Sequence, residues 1–336
     1  MVLVRRLAAW CAVVTVARCS LNTPEEVRKG REALELWHRK GRDSGCPDDR
    51  IFGGFVTFVS LYPFAVFWYS LSKDNLQTCS GSIVAPMWIL TARHCILTMD
   101  WEGVIFAGDV DFTTDRVFTK VNIQIRIARE AYRYWPPQPD HLDHDILLLE
   151  LWRAFTIVRD YVAVIPITEN RTYPADFKKI CTIVGFGRRA RDAPPYTGIQ
   201  RGGSFLMEPG QKCGLPEIKD NGLCTFDVKT KSACKGDSGG PVFCGTPDFQ
   251  TGLIVGVVYK NECAKWCGAP AQFNYHIFVG FYRDWIFSRI HEPYRVRSAA
   301  VLPAAAAVLP AASQLISLCT LAASLLSFAI NVHSSA

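Results

Sequence analysis

The chain has 336 residues, 49% hydrophobic and 12% aromatic, a composition that excludes a mostly disordered protein. Its net charge of +6 is modest and scattered along the sequence, so there is no basic stripe to recommend nucleic acid as a partner.

The N-terminus opens with a short basic start, Met1 to Arg6, followed by an apolar run from Leu7 to Ala17. That run is too short to cross a bilayer, which takes about 20 residues, and reads as a secretory signal peptide over 1–19. The protein is therefore expected in the secretory pathway and outside the cell. Thr23-Pro24-Glu25-Glu26 then supplies a capping threonine, a first-turn proline and a glutamate at the third helical position. With Val27, Leu34, Leu36 and Trp37 following, a helix is expected over Pro24 to Lys40.

From Phe52 to Tyr259 the pattern is that of short strands broken by turn residues. Val121, Ile123, Ile125 and Ile127 alternate with Asn122, Gln124 and Arg126, the period of a half-buried strand. Further strands are expected at Trp88 to Leu90, Gly103 to Ala107, Ile146 to Leu151, Ile180 to Gly185, Pro241 to Cys244 and Leu253 to Val258. Many short strands without intervening helices imply a sandwich or a barrel. Phe278 to Ile290 reads as a closing helix packed through Phe281, Trp285 and Ile286. Asn170-Arg171-Thr172 is a glycosylation sequon in a polar stretch.

Three stretches carry chemistry. CKGDSGGP, Cys234 to Pro241, sets Ser238 between glycines. A serine hydroxyl is a poor nucleophile until a base takes its proton, and the flanking glycines let backbone N–H groups turn toward a developing oxyanion. TARHC, Thr91 to Cys95, offers His94 as that base, and DHDILLLEL, Asp143 to Leu151, offers Asp145 to orient it. The dispersed cysteines lack the close pairing with histidines that zinc needs, so no metal or other cofactor is expected.

With IFGG at Ile51 to Gly54, these stretches stand in the order of the trypsin/chymotrypsin family of serine proteases, which the sequence resembles over about Ile51 to Ile290. The resemblance implies an all-β fold of two six-stranded antiparallel barrels, with the active site between them and a C-terminal helix. It implies peptide-bond hydrolysis through an acyl-enzyme, with catalytic Ser238, His94 and Asp145 and an oxyanion hole from the N–H groups of Gly236 and Ser238. It makes residues 20–50 a propeptide removed by a trypsin-like protease after Arg50. The freed ammonium of Ile51 would pair with Asp237, a charge made by proteolysis and used as a switch. The protease domain is then 51–292, acting on proteins or peptides.

By the same resemblance the disulfides are Cys79 with Cys95, Cys181 with Cys244, Cys213 with Cys224 and Cys234 with Cys263. Cys46 and Cys267 are left, either paired and tethering the propeptide or free, and Cys263 and Cys267 are open to exchange. Ser232 occupies the floor of the primary specificity pocket, where a carboxylate would select Lys or Arg, so a non-tryptic preference is expected, chymotrypsin-like first and elastase-like second. Tyr259, Lys260 and Asn261 stand where the family's pocket wall reads Ser-Trp-Gly, and Ala271 where the opposite wall has glycine. Arg93, just before the histidine, is a further departure. An inactive homologue serving as a binding protein is the alternative. Beyond the domain, a Pro/Ala-rich linker over 293–314 leads to the apolar run Leu315 to Val332 within 315–336. Basic residues precede that run and none follows, which favours a GPI signal, attached near Ser298 to Ala300, over a membrane span.

Overall fold

The computed structural model describes residues 21–40, 54–72, 76–96, 98–172, 179–187, 198–227, 232–245, 252–261 and 272–290. The first barrel comprises β2 (Ala65–Leu71), β3 (Leu76–Ala85), β4 (Trp88–Thr91), β5 (Glu102–Ala107), β6 (Gln124–Arg133) and β7 (Leu147–Leu151). They close in the order β2-β3-β4-β7-β6-β5, all antiparallel. The second is built from β8 (Lys179–Gly185), β9 (Arg201–Pro209), β10 (Gly222–Asp227), β11 (Pro241–Cys244), β12 (Leu253–Asn261) and β13 (Gln272–Phe278). Here the order is β9-β10-β13-β12-β11-β8, with the β8–β9 pairing closing the ring. β1 (Phe55–Val56) adds itself to β9, Phe55 opposite Gly202. The expected two-barrel architecture is what the chain adopts, and the strands named from the sequence fall on or within a residue of observed ones, except that the alternation starting at Val121 enters its strand only at Gln124.

Closure leaves a barrel no edge, and the interior is filled by side chains. β2 is buried on both faces because aromatic residues cover its outer side. Phe67 stacks on Phe112 at 6.1 Å and meets Phe186 at 5.7 Å, while Trp68 is fully buried.

Helix α1 (Pro24–Lys40) has the expected bounds. Its cap is reciprocal: the Glu26 N–H donates to Thr23 Oγ1 and the Thr23 N–H to Glu26 Oε2. It packs on the first barrel through Ala33, Leu34 and Trp37, all buried. Val121 is exposed ahead of β6, and the polar positions Gln124 and Arg126 are as buried as Ile125: Arg126 lies under Leu21, Asn22 and Glu26, and Gln124 is covered by the stretch at Thr156, to which its side chain bonds. The closing helix also differs. A 3-10 turn, Val279–Tyr282, precedes α2 (Arg283–Arg289), and Tyr282 and Ile286 make its buried face while Phe281 is exposed. Asn170 of the sequon is exposed.

Candidate active site

β4 ends at Thr91, a fully buried threonine whose hydroxyl donates to the Ser80 carbonyl at 2.8 Å and accepts from Trp68 Nε1 at 3.2 Å. A 3-10 turn, Arg93–Cys95, follows and presents His94. The turn is tied to β3 by the Cys79–Cys95 disulfide. Asp145, 1% exposed, enters from just before β7: its Oδ1 accepts the His94 backbone N–H at 2.7 Å and its Oδ2 lies 2.5 Å from His94 Nδ1. One carboxylate thus fixes both the backbone and the ring, leaving Nε2 as the working nitrogen.

Ser238 lies in a turn between Cys234 and β11, half-buried, with its carbonyl accepting the Ser80 N–H at 2.9 Å. Gly236 and Gly239 hold φ of 97° and 80°, the left-handed region that a side chain disfavours. The Asp237 N–H donates to the Cys234 carbonyl, that of Gly239 to Val258 and that of Gly240 to Asp237. Among the described residues the N–H groups of Gly236 and Ser238 donate to none, so both are open to an anion. The Ser238 hydroxyl makes no hydrogen bond to His94 among the described residues; Cys95 Sγ, held in its disulfide, lies 3.9 Å from the Ser238 carbonyl. Such pairs tighten when substrate arrives.

The fully buried Asp237 carboxylate accepts from the backbone N–H groups of Gly187 and Cys234, each at 2.8 Å. Arg50 and Ile51, with which the sequence associates it, lie outside the described residues, as does Ala271. Cys181–Cys244 and Cys213–Cys224 are both present. Cys234 is disulfide-bonded, while Cys263, its expected partner, lies outside the described residues, as do Cys46 and Cys267. Cys79, His94 and Cys95 bring donor atoms within 4.8 Å of one another, but both sulfurs are spent in a disulfide, so the trio is no metal site.

Several residues that sequence reading passed over complete the region. Asp143 accepts the Tyr259 hydroxyl at 2.5 Å and pairs with Arg93 at 3.0 Å, so the charge beside His94 is met by a carboxylate. Burial and Asp143 together push the Tyr259 phenol well above its ordinary value, which keeps it a donor. Its ring lies 6.4 Å from the His94 ring. Lys260 is drawn to Glu217 at 3.0 Å and sits 4.8 Å over the Tyr259 ring. Ser232 is fully buried beside Asn274, whose Oδ1 accepts the Ala233 N–H at 2.7 Å. In the sheet the partner of Asn261 is Asn274. Thr225, opposite Asn274, and His276, opposite Leu223 and Val258, line the same face. His144 serves packing: its Nδ1 meets the Tyr282 hydroxyl at 2.8 Å and its Nε2 meets Asp140 at 2.9 Å.

A family model described as Trypsin matches residues 51–286. The chain is 29% identical over 290 residues to a human (Homo sapiens) hepatocyte growth factor activator serine protease, covering 81% of this chain and 41% of that protein. It is 26% identical over 252 residues to coagulation factor XII of Cavia porcellus, covering 70% and 40%. The chain thus spans about two fifths of the length of these curated relatives. Among solved structures, neuropsin, a serine protease expressed in the limbic system of mouse brain, superposes with a TM-score of 0.56 at 19% identity, covering 72% of this chain and 100% of that one. HL collagenase gives 0.55 at 22%, covering 71% and 98%. At those identities the likeness is one of fold.

Proposed function

The chain belongs to the trypsin family of serine proteases, and from that premise we propose that it is an extracellular serine endopeptidase, made as a zymogen and activated by a trypsin-like protease cutting after Arg50. The observation that carries the reading is the His94–Asp145 pair, held through backbone and ring together beside a serine turn in which the N–H groups of Gly236 and Ser238 have no acceptor among the described residues. In the reaction, Ser238 Oγ attacks the scissile carbonyl while His94 Nε2 takes its proton. Asp145 stabilises the imidazolium, and the N–H groups of Gly236 and Ser238 receive the oxyanion. His94 then protonates the leaving amine, and water resolves the acyl-enzyme by the same steps. Asp237 holds the turn in place, with the Ile51 ammonium as its counter-charge.

The preference is non-tryptic. Ser232 brings no carboxylate, and Asn274 beside it is neutral, so a Lys or Arg side chain entering there would meet no counter-charge from these residues. Chymotrypsin-like substrates come first and elastase-like ones second. The alternative, a homologue that binds without turnover, draws on Tyr259 lying against His94.

A fluorophosphonate probe decides between them. Labelling that rises at least tenfold after cleavage at Arg50 and vanishes in Ser238→Ala is expected, with Phe, Leu or Ala peptides cut faster than Arg peptides. Unlabelled, correctly cut and folded protein establishes the binding homologue instead. We further propose carbohydrate at Asn170 and a GPI anchor replacing the tail after Ser298 to Ala300. A GPI-cleaving phospholipase is then expected to release the protein from cells; protein that stays attached has a membrane span.

A further inference from the structure

We infer that residues 21–40, ahead of Arg50, are a permanent second chain of the activated protein, docked on the first barrel without needing a covalent tie. The inference rests on the Arg50 cut only in that the cut makes the segment separate; the docking surface is observed directly.

The surface fits the segment in three ways. Apolar contact comes first: Trp37 sets its ring edge against Phe67 at 6.4 Å and Tyr69 at 6.1 Å, alongside buried Ala33 and Leu34. Gly30 lies so close to the barrel that a Cβ there would stand 3.0 Å from Ile125 Cδ1.

Asn22 then completes the sheet. The ladder between β6 and β7 starts at Ala128, which leaves the earlier part of β6 unpaired on that side. There the Ile125 N–H donates to Asn22 Oδ1 at 2.6 Å and Asn22 Nδ2 donates to the Ile123 carbonyl at 2.9 Å. One amide side chain thus does the work of a neighbouring strand.

Charge is the third element. Arg126 is fully buried, and Glu26, 3.6 Å away, is its one ion-pair partner among the described residues. Its Nη1 also donates to the Leu21 carbonyl at 3.1 Å. Arg153 donates to both Glu26 and Leu21, and Lys29 reaches Glu102 at 2.6 Å. Burial pushes the Arg126 guanidinium down to about 10, opposed by Glu26. Loss of the segment would therefore strand a buried cation, two backbone groups of β6 and the hollow filled by Trp37. Each is costly on its own, so a cut in the connecting chain is not enough to release the peptide. The exposed pairs of Arg28 with Glu25 and Glu32 belong to the helix alone and contribute little to docking.

The test uses the full chain with Cys46→Ser, which removes any disulfide tether. It is cut with a trypsin-like protease; Arg42 and Arg50 both lie between α1 and the domain, so a cut at either separates them. Native size-exclusion with mass spectrometry is expected to find the peptide holding residues 21–40 co-eluting with the domain and leaving it only in denaturant. A peptide that elutes alone from a folded domain overturns the inference. Glu26→Ala with Trp37→Ala is expected to weaken retention by about a hundredfold or more; should that variant not fold, elution of the Cys46→Ser protein still decides. Probe labelling is read on the same samples. Labelling that fails to rise after the cut counts against the zymogen reading alone, and release of the peptide counts against docking alone.

Discussion

Asp237 occupies a place that its neighbours must leave empty. A Cβ on Gly185 would stand 2.1 Å from Asp237 Oδ1, and one on Gly187 2.6 Å from it, so the last residue of β8 and the second residue past it are glycine to let a carboxylate lie against the backbone. In β13, His276 sits fully buried, and among the described residues neither ring nitrogen is hydrogen-bonded. Burial pushes its imidazole down to about 3. The folded form therefore stays neutral between about pH 6.5 and 3 while the unfolded chain takes up a proton. Stability contributed by the neutral ring is full above pH 6.5 and falls as the pH drops through this window, by about 1.4 kcal/mol per unit. Urea titrations at pH 7 and pH 4.5 are expected to show His276→Phe losing less stability on acidification than the parent; equal losses would assign the acid sensitivity to other groups.

At the scale of elements, the chain explains itself where the pattern is local and misleads where a distant segment intervenes. Thr23 and Glu26 marked the helix start because a capping box is complete within four residues. β6 was visible from its alternation, but its polar face was assigned to solvent, since no local signal says that residues a hundred positions earlier meet Arg126 or that Thr156 meets Gln124. The stretch expected as a pocket wall was obscure for a related reason: a register shift between Val258 and Lys260 decides that Asn274 opposes Asn261, and loop length alone does not give it. Asn22 is the most exacting of these long-range contacts. Asn22→Ala leaves the Ile125 N–H and Ile123 carbonyl without partners, at a cost of about 1–3 kcal/mol. Hydrogen exchange at the Ile125 amide is expected to rise about tenfold or more, with amides of the second barrel unchanged.

For the whole molecule, the serine, histidine and aspartate stretches were legible because each carries its chemistry in a few adjacent residues. Their assembly was not, because it depends on two barrels meeting. That meeting passes through Ser80. Its N–H donates to the Ser238 carbonyl, its hydroxyl donates to the Gly236 carbonyl at 2.8 Å, and the same oxygen accepts the Phe186 N–H at 2.9 Å. One residue of the first barrel thus rivets both the nucleophile turn and the strand exit of the second. Mechanically, the join between the barrels is an anvil and not a jaw: the halves cannot swing apart without shearing three bonds beside the serine turn. If the chain acts as proposed, a protein substrate brings its scissile bond as an extended, already accessible stretch, and a bond locked inside a helix stays intact until something else unwinds it.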